Sequence, residues 1–272
     1  MTTNNVYSRR AFGALLLGTT AACASSPDLE VPAPVVFTEG YGPHFDSGYN
    51  LPGIPPEYTQ GINRRMSGTY LGEAPRNSID VDPYAKFLYH VLDDGTAVRY
   101  PVGVGRAGKS FAGDGIIQLK KKWPGWTATA NMLRTEPDVY GPFARGIPGG
   151  LRSPLGAAAL YLYRNGRDTY YRIHGTNDLG SIGNSGSAGC IRMFNQDILH
   201  LYDAVPTGVK VHVRSEAESL RVDPENYLRG IELPAKHIDP DAIYGEEAIA
   251  NDRPPDFDAV DPNTLITIVG SN

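Results

Sequence analysis

From residue 76 onward, apolar and polar positions follow a two-residue period in short runs. Ser78-Ile79-Asp80-Val81 alternates, and Lys86-Phe87-Leu88-Tyr89-His90-Val91-Leu92 follows. Asp93-Asp94-Gly95-Thr96 then separates this run from Ala97-Val98-Arg99-Tyr100-Pro101-Val102. Two β-prone runs joined at Asp-Gly predict a hairpin, because glycine supplies the positive φ that such turns need. The apolar stretch Ala157–Tyr163 and the run Thr169-Tyr170-Tyr171-Arg172-Ile173-His174 predict two more strands. Asn195–Tyr202 has helical spacing, with Ile198, Leu201 and Tyr202 on one face and Asn195 placed to cap it. Val209-Lys210-Val211-His212-Val213 alternates as a closing strand.

Three stretches break the period. Residues 26–75 are punctuated by Pro and Gly, as in Leu51-Pro52-Gly53-Ile54-Pro55-Pro56. Proline fixes φ and donates no hydrogen bond, so this arm is neither regular helix nor central strand. It is read as a spacer or a wrapping arm. Residues 120–150 show little periodicity, and a loop that long in a compact domain is usually functional. Trp123, Trp126 and Met132 are read either as a substrate-contacting lid or as the filling of a satellite core. The Lys120-Lys121-Lys122 run reads as a solvated face. After Arg214 the chain is acidic and Pro-rich; its late patch Leu265–Val269 either docks on the domain edge or forms a mobile end.

Composition narrows the class. The 272 residues hold 31 Gly and 22 Pro, which argues against a helical bundle, and 16 Tyr, which suit strands. Charge is uneven: residues 215–272 carry a net −9 and residues 1–214 a net +4, for −5 overall. That balance offers no general basic field for nucleic acid. No apolar run beyond residue 25 reaches the roughly 18 residues of a membrane span.

Residues 1–25 read as an export signal, with Arg9 and Arg10 before the short apolar run Ala11–Ala22. Ser8-Arg9-Arg10-Ala11-Phe12 resembles a twin-arginine signal, and an ordinary secretory signal also accommodates the arginine pair. Thr20-Ala21-Ala22-Cys23 is similar to a lipobox, and Ala22-Cys23-Ala24 equally suits ordinary cleavage. Both pairs of alternatives stay open, and both place the mature chain in the periplasm, with or without a lipid anchor at Cys23. Cys190 is then the one thiol unaccounted for.

The chemistry concentrates in Ile173-His174-Gly175-Thr176-Asn177 and Ser187-Ala188-Gly189-Cys190-Ile191-Arg192-Met193. A thiol reacts as thiolate, and an imidazole takes its proton near neutral pH. His174 at a strand end meets Cys190 if the intervening loop returns to the adjacent strand. Gly175 and Gly189 free backbone groups beside them, and the amides around Cys190 suit an oxyanion hole. Arg192 shares the strand face of Cys190 and is read as a carboxylate holder or as half of a structural salt bridge. His44 is expected at the surface, and His90, His200 and His212 are expected to be structural. Val102-Gly103-Val104-Gly105 is not a phosphate loop, because no Lys-Ser/Thr follows at P-loop spacing.

These motifs resemble the L,D-transpeptidase (YkuD-domain) family over residues 76–214. The likeness includes His174-Gly175-Thr176, Ser187-x-Gly189-Cys190-Ile191-Arg192-Met193 and Asn195-x-Asp197. It also includes Val102–Gly105, Trp123-Pro124-x-Trp126, Met132, and Gly149-Gly150 with Ser153-Pro154-Leu155-Gly156. The resemblance implies a mainly β, sandwich-like catalytic domain with short helices at 76–214, between an irregular arm (26–75) and an acidic extension (215–272). It implies no metal or cofactor. Cys190 would attack a peptidoglycan tetrapeptide stem, release D-alanine and pass the thioester to an amine, making this an acyltransferase. The acceptor would be another stem, giving 3–3 cross-links, or an outer-membrane protein. His174 would be the base, oriented by the Gly175 carbonyl. Arg192, Gly189, Ser187, Asn177, Met132 and Trp126 would contact substrate or oxyanion. Carbapenems mimic the donor in this family. Ala188 departs from the His that many members carry there. Water as acceptor, or a non-catalytic wall-binding scaffold, are the competing readings.

Overall fold

The computed structural model describes residues 35–105, 111–186, 190–231 and 233. The export signal, most of the acidic tail with Leu265–Val269, and Ser187, Ala188 and Gly189 lie outside the described residues. The elements below belong to the compact unit Val36–Asn272.

The protein is mainly β with short helices. The predicted hairpin is β5 (Phe87–Val91) and β6 (Thr96–Pro101), with Gly95 at φ 88° in its turn, and β4 (Ser78–Asp82) pairs antiparallel with β5. Further along come β7 (Gly103–Val104), β8 (Gly113–Lys122), β9 (Ala158–Arg164), β10 (Arg167–Thr176), β11 (Ile191–Phe194) and β12 (Lys210–Val213). With β3 (Met66–Thr69) they form one ten-stranded sheet in the order β3-β6-β5-β4-β12-β8-β9-β10-β11-β7. Ile79, Val81 and Leu88 share one buried cluster with Leu160, Leu162, Ile173, Ile191 and Met193. Strands from both halves of the order meet in that core, so the sheet folds over on itself. Each of these side chains, fully removed from water, contributes about 1.5–3 kcal/mol.

Several expectations need correction. The Val209–Val213 strand does not close the sheet: β12 lies inside it, parallel to β4 and antiparallel to β8. The Lys run is strand, not loop, and it is anchored. Lys120 Nζ donates to the Tyr202 and Val205 carbonyls at 2.6 and 2.5 Å, and Lys122 Nζ lies 2.7 Å from Asp46 Oδ1. These carbonyls end α3 (Asn195–Ala204), where a cation is favoured. Asn195 is the first residue of α3 and Phe194 its cap, so the Asn195 amide is free for another task.

The Pro-rich arm wraps. Its hairpin β1 (His44–Asp46) and β2 (Tyr49–Leu51) precedes β3, which pairs with β6 at the sheet edge, where a run interrupted by proline is tolerated. Tyr41 and Ile54 build a second core with Ile182 and Phe194. Arg214, where the composition turns acidic, is followed by another packed element. α4 (Glu216–Val222) starts in a capping box of Ser215 and Glu218, and Ser219 Oγ donates to Asp82.

Candidate functional site

Parallel neighbours need a connection of a dozen or more residues, because the chain must return to the same end of the sheet. Residues 177–190 are that connection here. They bring β11 beside β10 with Ile173 opposite Ile191, His174 opposite Arg192 and Gly175 opposite Met193. Cys190 is the residue before β11, two positions from the partner of His174. β7 covers the other edge of β11, and the Gly105 amide donates to the Cys190 carbonyl at 3.2 Å. Gly103 is required there, since a Cβ would come within 2.6 Å of the Ser181 carbonyl oxygen.

His174 is buried, and its Nδ1 lies 2.7 Å from the Gly175 carbonyl. A carbonyl only accepts, so Nδ1 carries the proton and Nε2 keeps the lone pair. Burial pushes the His174 pKa down to about 4; the Gly175 bond raises it, while Arg192 and Arg172 lower it further. The ring is therefore neutral at pH 7. Cys190 is partly exposed. Desolvation raises its thiol pKa, and the Arg172 amide and the charges of Arg172 and Arg192 pull it back. The two groups at rest are thus a thiol and a neutral imidazole.

The sequence matches the model of the L,D-transpeptidase catalytic domain, YkuD, over residues 76–213. The chain belongs to this family. It is 46% identical over 124 residues to the putative L,D-transpeptidase YkuD of Bacillus subtilis, covering 45% of this chain and 70% of that protein. It is 32% identical over 142 residues to the probable L,D-transpeptidase ErfK/SrfK of Escherichia coli, covering 52% of this chain and 44% of that protein. The chain spans about half the length of the first such curated relatives. Among solved structures, a Brucella melitensis protein titled a probable carnitine operon oxidoreductase is 40% identical, covering 55% of this chain and 93% of that one, at a TM-score of 0.40.

In this L,D-transpeptidase domain the other predicted residues are dispersed. Arg192 sits at the site and forms the salt bridge that was one of its two readings. It pairs with Asp178 at 3.2 Å and donates to the Gly186 carbonyl at 3.3 Å, while its buried Nε has no partner among the described residues. Asn177 works as a tie: its amide donates to the Leu151 carbonyl, and its Oδ1 accepts from Asn195 Nδ2 at 2.9 Å. Asn195 Oδ1 in turn accepts from the Ala157 amide at 2.9 Å, so one side chain joins α3, β9 and the end of β10.

The 120–150 stretch contains α1 (Ala130–Thr135) and α2 (Pro137–Tyr140). Trp123 belongs to the main core rather than to a lid or a satellite core: its ring packs against Tyr49 at 4.4 Å, and its Nε1 donates to Asp46 at 2.7 Å. Trp126 packs on Tyr140 and Phe143. Met132 is half-buried on α1. Ser187 and Gly189 lie outside the described residues. Among the described residues no group of three or more His, Cys, Asp or Glu is placed to hold a metal ion. His44 is exposed; His200 Nδ1 lies 2.8 Å from the Tyr100 hydroxyl, and His212 lies between Asp114 and Glu218.

Sequence reasoning missed two members of the neighbourhood. Arg172 is one step before Ile173 in the register, as Cys190 is before Ile191, so the two sit side by side. Asp168 grips Arg172 by two bonds of 2.7 Å. The available signal was the alternation of β10, which puts Arg172 and His174 on one face.

Proposed function

We propose that this protein is a peptidoglycan L,D-transpeptidase acting through Cys190. The observation that carries the reading is the parallel pairing of β10 and β11, which sets His174 against Arg192 and two residues from Cys190. Nε2 of His174 takes the thiol proton as Sγ attacks the carbonyl between the diamino acid and D-alanine of a tetrapeptide stem. The proton passes to the departing D-alanine amine, leaving a thioester on Sγ. An acceptor amine then gives a proton to His174, attacks the thioester and restores the thiol. The Cys190 amide and its neighbours stabilise the oxyanion. The open Nε of Arg192 suits a stem carboxylate. The leader at 1–25 supports export to the periplasm.

The test is incubation with disaccharide tetrapeptides, read by mass spectrometry. The expected products are D-alanine and a 3–3 cross-linked dimer. Tripeptide alone would make water the acceptor and the protein a carboxypeptidase. No conversion, with or without a candidate outer-membrane protein as acceptor, would sink the reading.

A further inference from the structure

The neighbourhood of the sulfur holds one charged pair beyond the His-Cys-Arg motif. β10 pairs with β9 in regular register up to Asp168 opposite Tyr163, slips at a bulge, and resumes at Arg172 opposite Tyr161. Tyr170, at the bulge, has φ 61°, a left-handed conformation that a bulky residue adopts only when its surroundings impose it. The bulge brings Asp168 back to Arg172. Nη1 and Nη2 each donate to one carboxylate oxygen at 2.7 Å, Nη1 also reaches the Tyr171 carbonyl at 3.0 Å, and the guanidinium lies 4.3 Å from the Tyr161 ring centroid. The Arg172 side chain is only 13% exposed. It is therefore fixed in place, on the face of β10 that also carries His174, with its backbone next to Cys190 in the β10–β11 register.

We propose that Arg172 is a positioning residue for the Cys190 sulfur: its clamped guanidinium holds positive charge beside the atom that must become a thiolate, and Asp168 limits how much of that charge the sulfur feels. The proposal deepens the acyl-transfer reading and rests on it only for its catalytic consequence. Among the described residues, the other groups on this face are His174 on β10, Arg192 on β11 and, through Arg192, Asp178; Tyr161 lies on β9, and Gly103 and Val104 of β7 bring nothing titratable. His174 is neutral, and Arg192 is also tied to the loop at Asp178 and Gly186, so the Asp168–Arg172 pair on β10 is the part of the field that can be varied without touching the His-Cys-Arg motif.

The test is the pH dependence of Cys190 alkylation by iodoacetamide in the full chain, resolved from Cys23 by peptide mass spectrometry. Arg172→Gln is expected to raise the midpoint by about half to one pH unit, a three- to tenfold slower reaction below the midpoint. Asp168→Asn is expected to lower it, and Arg172→Lys to stay nearer the parent than Arg172→Gln. A purely structural clamp predicts that breaking the pair from either end has the same effect. Shifts of one sign in both variants, or an unchanged midpoint in Arg172→Gln, overturn the proposal. If Arg172→Gln does not fold, Asp168→Asn decides alone, and an unchanged or raised midpoint overturns it. Alkylation needs no wall substrate. Opposite shifts in a protein inert toward muropeptides would keep this inference and remove the transpeptidase reading, and an active enzyme with no shift would do the reverse.

Discussion

Two polar clusters in this sheet treat charge in opposite ways. Around Arg214, between β12 and α4, one cation and two carboxylates are fully hydrogen-bonded. Its Nε donates to both oxygens of Asp80 at 3.2 and 3.0 Å, and its Nη1 donates to Asp82 at 2.9 Å. Tyr70, Ser219 and the Tyr84 and Ala85 amides occupy the remaining carboxylate positions. Burial would lower the Arg214 pKa, but the bond and charge of Asp80, then the charge of Asp82, raise it instead. Around Cys190 the thiol and the imidazole are each desolvated and neutral. A matched cluster holds the fold and resists proton movement. A neutral, desolvated thiol and imidazole are what the proposed acyl transfer needs, since its proton must move when substrate arrives.

The largest effect should come from the neutral cluster and be purely chemical. Cys190→Ala is expected to abolish acyl transfer while leaving the thermal midpoint close to the parent's. Cross-linking by that variant would end the covalent mechanism. A carbapenem should add once to the parent by intact mass, on Cys190, and not to the variant. His174→Gln should lower the rate by about 10²–10⁴, the usual span for a positioned base.

The Arg214 cluster should give the reverse outcome. Arg214→Met leaves Asp80 and Asp82, 1% and 0% exposed, without their cation. Breaking a buried pair from one end costs about 3–5 kcal/mol. Urea denaturation should show that loss, with the folded fraction still able to form the carbapenem adduct. A stable Arg214→Met protein would mean that the guanidinium is not what holds this cluster together.

These clusters differ also in how far the sequence revealed them. The hairpin at Asp93–Thr96 and the strand into His174 were legible because alternation and Asp-Gly are local signals. His174 and Cys190 were legible because the connecting loop places both of them in one short segment. The Arg214 partners lie more than 130 residues away in sequence, and no periodicity reports such a contact. The same reason hid the inner place of β12, whose neighbours β4 and β8 are distant segments. The arm's Pro content excluded central strands correctly but said nothing of Tyr41, whose burial depends on Phe194 and Asp197. Asn195 looked like a cap because helix spacing is visible and the Ala157 amide that claims its side chain is not.

A third group tests the electrostatic contrast through pH. Burial raises the Asp197 pKa to about 7, against the opposing effects of Arg65 and Tyr41. It lowers the His174 pKa to about 4. For His174 the unfolded chain binds more protons between about pH 4 and 6.5, so this stability is present above that window and is lost as pH falls through it. The size is about 3 kcal/mol. For Asp197 the folded chain binds more protons, so its contribution is present at low pH and is lost as pH rises through about 7. Unfolding of the parent against His174→Gln and Asp197→Asn from pH 4 to 7.5 should give difference curves of opposite slope. Equal slopes would sink the contrast.

The smallest effect belongs to a pair that looks like the Arg214 cluster in kind and differs only in exposure. Arg221 on α4 and Glu73 make a two-bond ion pair, but their side chains are 56% and 64% exposed. Water screens such charges, and ordering two long side chains offsets much of what remains. Arg221→Ala should therefore leave the thermal midpoint nearly unchanged at moderate salt, although it removes the same chemical pairing as Arg214→Met from the same region. α4 is held instead by its capping box and by Ser219 on Asp82, neither of which the substitution touches. If Arg221→Ala destabilised as much as Arg214→Met, pairing itself would be what matters and burial would not, and the contrast between the matched and neutral clusters would lose its physical basis.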